Sequence, residues 1–97
     1  MTANDERFEV ARDVHVRRFH DELVLLDLAR GEYFSLDEVG AAAWDALAAG
    51  QTLRETVAVV AAHYDADVVR IEADLERLVA ELTRRNLLVP KAPEGLK

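Results

Sequence analysis

The spacing of the apolar residues changes near Leu36, and this change limits the folds that the chain can adopt. Before it, Val14-His15-Val16 alternates at period two, and residues 23–28 form a short, almost continuous apolar run. After it, apolar residues recur at spacings of three and four, as they do on one face of a helix. Strands therefore come first and helices follow, which predicts an α+β domain.

Three strands are predicted before this change. The first covers residues 14–19, and a turn at residues 20–22 leads into the apolar run at 23–28, which is typical of a central strand. Gly31 then permits a tight reversal, because a residue without Cβ reaches positive φ at little cost. Residues 32–36 form the third strand of an antiparallel meander, and we expect that strand to lie at an edge.

Two helices with clear start signals follow the predicted sheet. Asp37 or Ser35 can cap the first helix, which continues to about Ala49. Thr52 and Glu55 match a capping box for the second helix, which reaches about Tyr64.

The third predicted helix is the longest. Asp67 provides its N-cap, and it ends near Asn86, which tolerates the left-handed backbone of a helix C-terminus. Its apolar stripe consists of Val68, Ile71, Leu75, Leu78 and Leu82. The predicted architecture is a three-stranded antiparallel sheet followed by three helices.

Length and composition allow one small domain. The chain has 97 residues, of which 51% are hydrophobic and 32% charged, as in globular proteins. We expect a folded domain at residues 13–89 with flexible tails at 1–12 and 90–97. The chain has no Cys, a polar N-terminus and no apolar stretch of membrane-spanning length, so we expect a cytoplasmic protein.

Candidate catalytic and metal-binding residues do not converge in the predicted layout. His15, His20 and His63 fall on a strand, a turn and a distant helix, which disfavours a metal site. Ser35, the only Ser, lacks the Gly-x-Ser-x-Gly surroundings of a hydrolase nucleophile. The glycines form no phosphate-binding loop. We therefore expect no catalytic activity, no metal and no cofactor.

The edge strand and the third helix together predict a binding surface. An open strand edge can accept an extended peptide as an added strand. If the third helix packs beside residues 32–36, its apolar stripe faces Tyr33 and Phe34 across a cleft. The alternative is that Leu75, Leu78 and Leu82 only fill the core.

Four segments carry a resemblance to a known family. They are Leu25-Leu26-Asp27-Leu28, Gly31-Glu32-Tyr33-Phe34-Ser35-Leu36-Asp37, Ala41-Ala42-Ala43-Trp44 and the helical pattern from Tyr64 to Leu88. In this order the segments resemble the PqqD-like family of peptide-modification chaperones, also called RiPP recognition elements. The resemblance covers about residues 13–89.

The resemblance implies a winged helix-turn-helix-like fold and a non-catalytic role. A substrate's leader peptide would add as a strand beside the third strand and lie against the third helix. The implied peptide-binding residues are Glu32, Tyr33, Phe34, Ser35, Leu36, Asp67, Val68, Ile71, Asp74, Leu75 and Leu78. Apolar leader side chains would fill pockets between Tyr33, Phe34 and the third helix. The acidic Glu32, Asp67 and Asp74 would select basic leader residues.

Two positions depart from the family pattern. Asp37 stands where the family often has Asn, and Asn86 stands where it often has Gly. Asp also caps a helix N-terminus, and Asn also tolerates the left-handed region, so both replacements keep the local capping chemistry.

Similar stand-alone proteins serve two kinds of pathway. In pyrroloquinoline quinone synthesis the precursor peptide is delivered to a radical enzyme, and in lasso-peptide synthesis it is delivered to a leader peptidase and a cyclase. Overall similarity favours the lasso setting. In both, the partners are the leader region of a ribosomal precursor and a modifying enzyme, and the protein raises the local concentration of the peptide at that enzyme.

Two other functions remain open from the residues alone. A small winged-helix DNA-binding regulator would share the fold outline. However, 12 basic residues against 19 acidic ones give a net charge of -7, which repels phosphate. A structural dimerisation module could use the same sheet edge. A gel shift at low salt and light scattering without peptide separate these functions from peptide recognition.

Overall fold

The structure is a computed structural model that describes residues 5–91. The elements are β1 (Phe8–Val10), β2 (Val14–Phe19), β3 (Glu22–Asp27), β4 (Glu32–Leu36), α1 (Glu38–Ala48), α2 (Leu53–Tyr64), α3 (Val68–Arg84) and β5 (Leu88–Pro90). The predicted α+β class is confirmed: a three-stranded antiparallel sheet (β2, β3 and β4) is followed by three helices. Short strands at the two ends of the described chain, β1 and β5, add to this plan.

The sheet has the strand order β2-β3-β4, so β3 is central and β4 lies at an edge, as predicted. Phe34 pairs with Leu25, and Leu36 pairs with Leu23, so these four side chains share the inner face. Leu23 and Leu25 are completely buried. On the opposite face Tyr33 is 70% exposed, so the sheet buries one face against the helices and leaves the other open.

The turn between β3 and β4 is fixed by a buried carboxylate. Asp27 Oδ1 accepts hydrogen bonds from the backbone N–H groups of Ala29 and Arg30 at 3.1 and 3.2 Å. Gly31 has the positive φ expected of it, 70°, and its N–H donates to the Asp27 carbonyl oxygen. The carboxylate of Asp27 is therefore satisfied by the turn that it shapes, which explains an acidic residue at the end of an apolar strand.

Asp side chains cap the first and third helices. Asp37 Oδ1 accepts from the N–H of Gly40 at 2.8 Å, so Asp37, rather than Ser35, is the N-cap of α1. Asp67 Oδ1 accepts from the N–H of Val69 at 2.9 Å and caps α3, as predicted. Both caps stabilise N–H groups that have no partner within the helix.

The predicted capping box at the start of α2 is confirmed. Thr52 Oγ1 accepts from the Glu55 N–H at 3.1 Å, and Glu55 Oε1 accepts from the Thr52 N–H at 2.8 Å. The hydrogen bond from the Thr52 backbone lowers the pKa of Glu55, and the nearby Arg7 acts in the same direction. Beyond α3, Asn86 has a φ of 61°, the left-handed conformation expected for it.

We expect Thr52→Ala to lower the free energy of unfolding by about 1–2 kcal/mol, because it removes the acceptor for the Glu55 N–H. Urea denaturation followed by circular dichroism measures the loss. Thr83→Ala is the matched control, since the Thr83 hydroxyl donates to carbonyl oxygens of Val79 and Ala80 in the last turn of its own helix. The control should change stability by less than about 0.5 kcal/mol. Equal losses for the two variants would contradict the capping role.

The core lies between the inner face of the sheet and the three helices. Its largest fully buried side chains are Leu23, Leu25, Leu47, Leu82, Leu88, Val60 and Thr56. The Thr56 hydroxyl donates to the Thr52 carbonyl oxygen at 2.8 Å, so this buried polar group is satisfied. Within residues 5–91, the structure contains no helix that is both long and apolar enough to cross a membrane.

Strands near the two ends of the chain pair with each other, which corrects part of the expected tails. β1 and β5 are antiparallel, and Phe8 of β1 is buried in the core. Residues 8–10 were expected in a flexible tail because a three-residue strand gives little local signal, and its partner is at the far end of the sequence. Leu87 and Leu88 fold back onto the core, as predicted. Pro90, expected in the C-terminal tail, is the last residue of β5 and pairs with Phe8. Residues 1–4 and 92–97 of the expected tails lie outside the described chain.

Candidate functional site

An open groove of about 670 Å³ lies between β4 and α3. Its walls carry residues from the predicted binding set, which are Phe34, Ser35 and Leu36 on β4, and Ile71, Asp74, Leu75 and Leu78 on α3. The structure therefore brings the edge strand and the longest helix together across a cleft, as the sequence predicted.

The helical wall of the groove is mainly apolar. Ile71, Leu75 and Leu78 are three or four residues apart, so they lie on one face of α3. Ile71 and Leu75 are buried members of the core, and Leu78 is a partly buried side chain packed against it. Leu82 is fully buried and does not line the groove. The core-filling alternative is thus correct for Leu82, whereas Leu75 belongs to both the core and the groove wall.

The strand wall offers main-chain hydrogen bonding. β4 pairs with β3 along one edge, and no strand within residues 5–91 pairs with its other edge. Backbone donors and acceptors along such an edge can pair with an extended chain. The groove thus combines a strand template with an apolar wall facing it.

A cation–π contact involves Phe34, the middle residue of β4. The Arg85 guanidinium lies over the Phe34 ring, with Cζ 4.9 Å from the ring centroid. Its Nε donates to Glu81 Oε2 at 2.5 Å, and its carbonyl oxygen accepts from Arg30 at 3.4 Å. Arg30 precedes β4 and Arg85 follows α3, so their contact places the start of the strand beside the end of the helix. The strand and the helix therefore run in opposite directions. Nothing in the local pattern of the sequence indicated this contact.

The groove extends to residues that were not predicted. They are Glu22 from the start of β3, and Asp37, Val39 and Gly40 from the start of α1. Glu22, Asp37 and Asp74 contribute carboxylates, and none of the described residues that line the groove is Lys or Arg. The groove is therefore negatively charged as well as apolar.

Part of the predicted binding set lies away from the groove. Glu32 and Tyr33 border a narrow crevice with Arg85, and the Tyr33 ring is on the outer face of the sheet because side chains alternate along β4. Asp67 is occupied as the N-cap of α3. Val68 lines a second depression, which lies between α2 and α3, because its position turns it towards α2.

The carboxylates of the groove do not form a metal site. Among residues 5–91 no cluster of three His, Asp or Glu side chains is placed to hold a metal ion. What the groove supplies is a row of backbone hydrogen-bonding groups, apolar contact and negative charge. These are the means of holding an extended peptide.

Comparison with known proteins agrees with this description. The family model described as Coenzyme PQQ synthesis protein D (PqqD) matches residues 22–88, which is more than half of the chain and includes every residue that lines the groove. No curated protein matches the chain at a significant level.

Two solved structures resemble the chain over most of its length. TbiB1 in complex with the TbiA(beta) leader peptide is 34% identical, with a TM-score of 0.77, and the match covers 92% of this chain and 98% of that chain. A lasso peptide synthetase B1 complexed with the leader peptide is 24% identical, with a TM-score of 0.78, and the match covers 87% of this chain and 99% of that one. At 24% identity, the likeness to the second structure shows a shared fold.

Proposed function

The chain belongs to the PqqD family, and we propose that it captures the leader peptide of a ribosomally synthesised precursor in the groove between β4 and α3. The family membership expected from the sequence is thereby confirmed. The observation that carries the proposal is the free edge of β4 facing the apolar wall of α3. The likeness to TbiB1, whose structure is a leader-peptide complex, supports the same role.

Strand addition explains how such a peptide is held. Backbone groups of the leader pair with the free edge of β4, and alternate leader side chains then point into the groove. There they contact Phe34, Leu75 and Leu78, which provide the apolar surface. Because ordering a flexible peptide offsets much of the contact energy, we expect a dissociation constant on the order of micromolar to nanomolar.

The predicted binding set divides into three groups in this proposal. Residues that line the groove contact leader side chains directly. Glu32 and Tyr33 extend the strand template through their main chain. Asp67 caps α3, the helix that forms the groove wall, and Val68 lies on its first turn, facing α2. The recognition domain in this proposal is residues 13–89, to which β1 adds by pairing with β5.

The proposed role involves no chemistry by this protein. Binding the leader raises the local concentration of the attached core peptide at a leader peptidase or another modifying enzyme. Because the precursor is a ribosomal product, the proposed place of the encounter is the cytoplasm.

Of the two pathway settings, we propose the lasso-peptide type. It is supported by the likeness to TbiB1 over nearly the whole chain, and a lasso peptide synthetase B1 has the same fold. The family description favours the alternative, a chaperone in pyrroloquinoline quinone synthesis. A panel of leaders separates the two, since a lasso precursor's leader should bind at least about tenfold more tightly than a quinone precursor's leader.

We expect a leader from a short precursor gene beside this protein's gene to shift amide NMR signals at residues 32–36 and in α3. The shifts should saturate at sub-millimolar peptide, as a dissociation constant of micromolar or lower requires. A scrambled leader and a DNA duplex at low salt are the controls, and neither should produce them. If no neighbouring leader shifts these signals, the proposed function is wrong.

A further inference from the structure

We infer that the end of the groove formed by Glu22, Asp37 and Asp74 binds a Lys or Arg side chain of the leader peptide. The inference rests on the proposed function. To the apolar anchors of the leader it adds one basic residue, which the acidic end of the groove would bind.

The carboxylates reach this groove from separate elements. Glu22 begins β3, Asp37 caps α1, and Asp74 lies on α3. No hydrogen bond or ion pair engages the Glu22 carboxylate within residues 5–91. Asp37 uses Oδ1 to accept from the Gly40 N–H, which leaves Oδ2 available. A cationic side chain in the groove can therefore approach carboxylate oxygens without first breaking a bond at Glu22.

Neighbouring charges keep this region negative. Tyr64 lies nearby, and its pKa is raised by partial burial and then by the charges of Glu38, Asp21 and Asp37. Among residues 5–91, Asp74 forms an ion pair with one cation, Arg77, whose side chain is 74% exposed, so solvent screens this pair. The carboxylates outnumber the cations, so the field attracts a basic peptide residue.

Positive charge lies near the first half of β4, up to Phe34. There the Arg85 guanidinium covers Phe34, and Arg30 approaches the Arg85 carbonyl oxygen. A basic leader residue is therefore favoured where β4 ends and α1 begins, and not along the whole groove. Of the three acidic residues expected to select basic leader residues, Glu32, Asp67 and Asp74, the one that lines the groove is Asp74.

The test compares a double variant, Glu22→Gln with Asp74→Asn, with the unaltered protein. Fluorescence anisotropy of a labelled leader gives the dissociation constant at low and physiological salt. We expect the double variant to bind about three- to tenfold more weakly at low salt and to lose part of the salt dependence. Glu76→Gln is the matched control, because it removes the same kind of charge from an exposed position on α3 outside the groove, and it should change affinity less than about twofold.

A leader whose Lys and Arg residues are replaced by Gln completes a double-mutant cycle. This neutral leader should bind the protein and its double variant with equal affinity. If the double variant binds the natural leader as tightly as the unaltered protein does, the acidic subsite is wrong while leader capture stands. If the unaltered protein binds no leader at all, the proposed function fails and the inference fails with it.

Discussion

Leu78→Glu should weaken leader binding by at least about 100-fold, because the new carboxylate loses its hydration when the peptide covers the groove wall. The partly buried Leu78 lines the groove midway along α3, where an apolar leader side chain would contact it. The substitution also deletes apolar contact area. Anisotropy with the labelled leader measures the affinity.

The matched control for this prediction is Val69→Glu. Val69 is on the same helix and is 72% exposed, outside the groove, so the same exchange of an apolar for an acidic residue should alter affinity less than about twofold. Far-UV circular dichroism should show both variants folded. If Leu78→Glu bound the leader with native-like affinity, α3 would not be part of the binding site.

Trp44→Ala should lower the free energy of unfolding by about 3–5 kcal/mol, which is a large share of the stability of a small domain. Trp44 lies on α1 with only 2% of its surface exposed, so truncation leaves a cavity in the core. Since α1 also supplies Val39 and Gly40 to the groove, loss of this helix would remove leader binding as well.

Urea denaturation followed by circular dichroism measures the change, because Trp44 is the only Trp and its fluorescence is lost with it. Val59→Ala is the control. Val59 is half exposed on α2, and its truncation should cost less than about 1 kcal/mol. A loss below about 1 kcal/mol for Trp44→Ala would contradict its placement as a core anchor.

Features set by neighbouring residues could be predicted from the sequence. The turn at Gly31, the capping box of Thr52 and Glu55, and the left-handed Asn86 each depend on chemistry within a few positions, and all are present. The edge position of β4 could be predicted too, because a meander of three strands leaves its last strand with one neighbour.

Features set by distant residues could not be predicted in the same way. β1 and β5 pair from opposite ends of the chain, and three-residue strands carry no periodicity that would reveal the pairing. A helical stripe indicates which residues share a face but not which neighbour each one meets. For that reason Val68 was grouped with the groove residues, although it faces α2.

The acidic end of the groove was missed for a similar reason. Glu22 and Asp37 begin separate elements, and only the path of the chain through the sheet brings them beside Asp74. The sequence indicates a capping role for Asp37, which the structure confirms. Because that role already accounts for an acidic residue at this position, nothing in the sequence indicated that Asp37 also lines the groove. The contact of Arg85 with Phe34 likewise depends on the antiparallel course of α3 and β4.

Strand addition to β4 is tested most directly by a leader in which single backbone amides are methylated in turn. Along a bound strand, successive N–H groups point alternately towards β4 and away from it. Leader affinity should therefore fall at every second position over the bound stretch, by about tenfold or more where an N–H faces β4, since both a hydrogen bond and close approach are lost. Equal affinities at all positions would contradict strand addition at this edge.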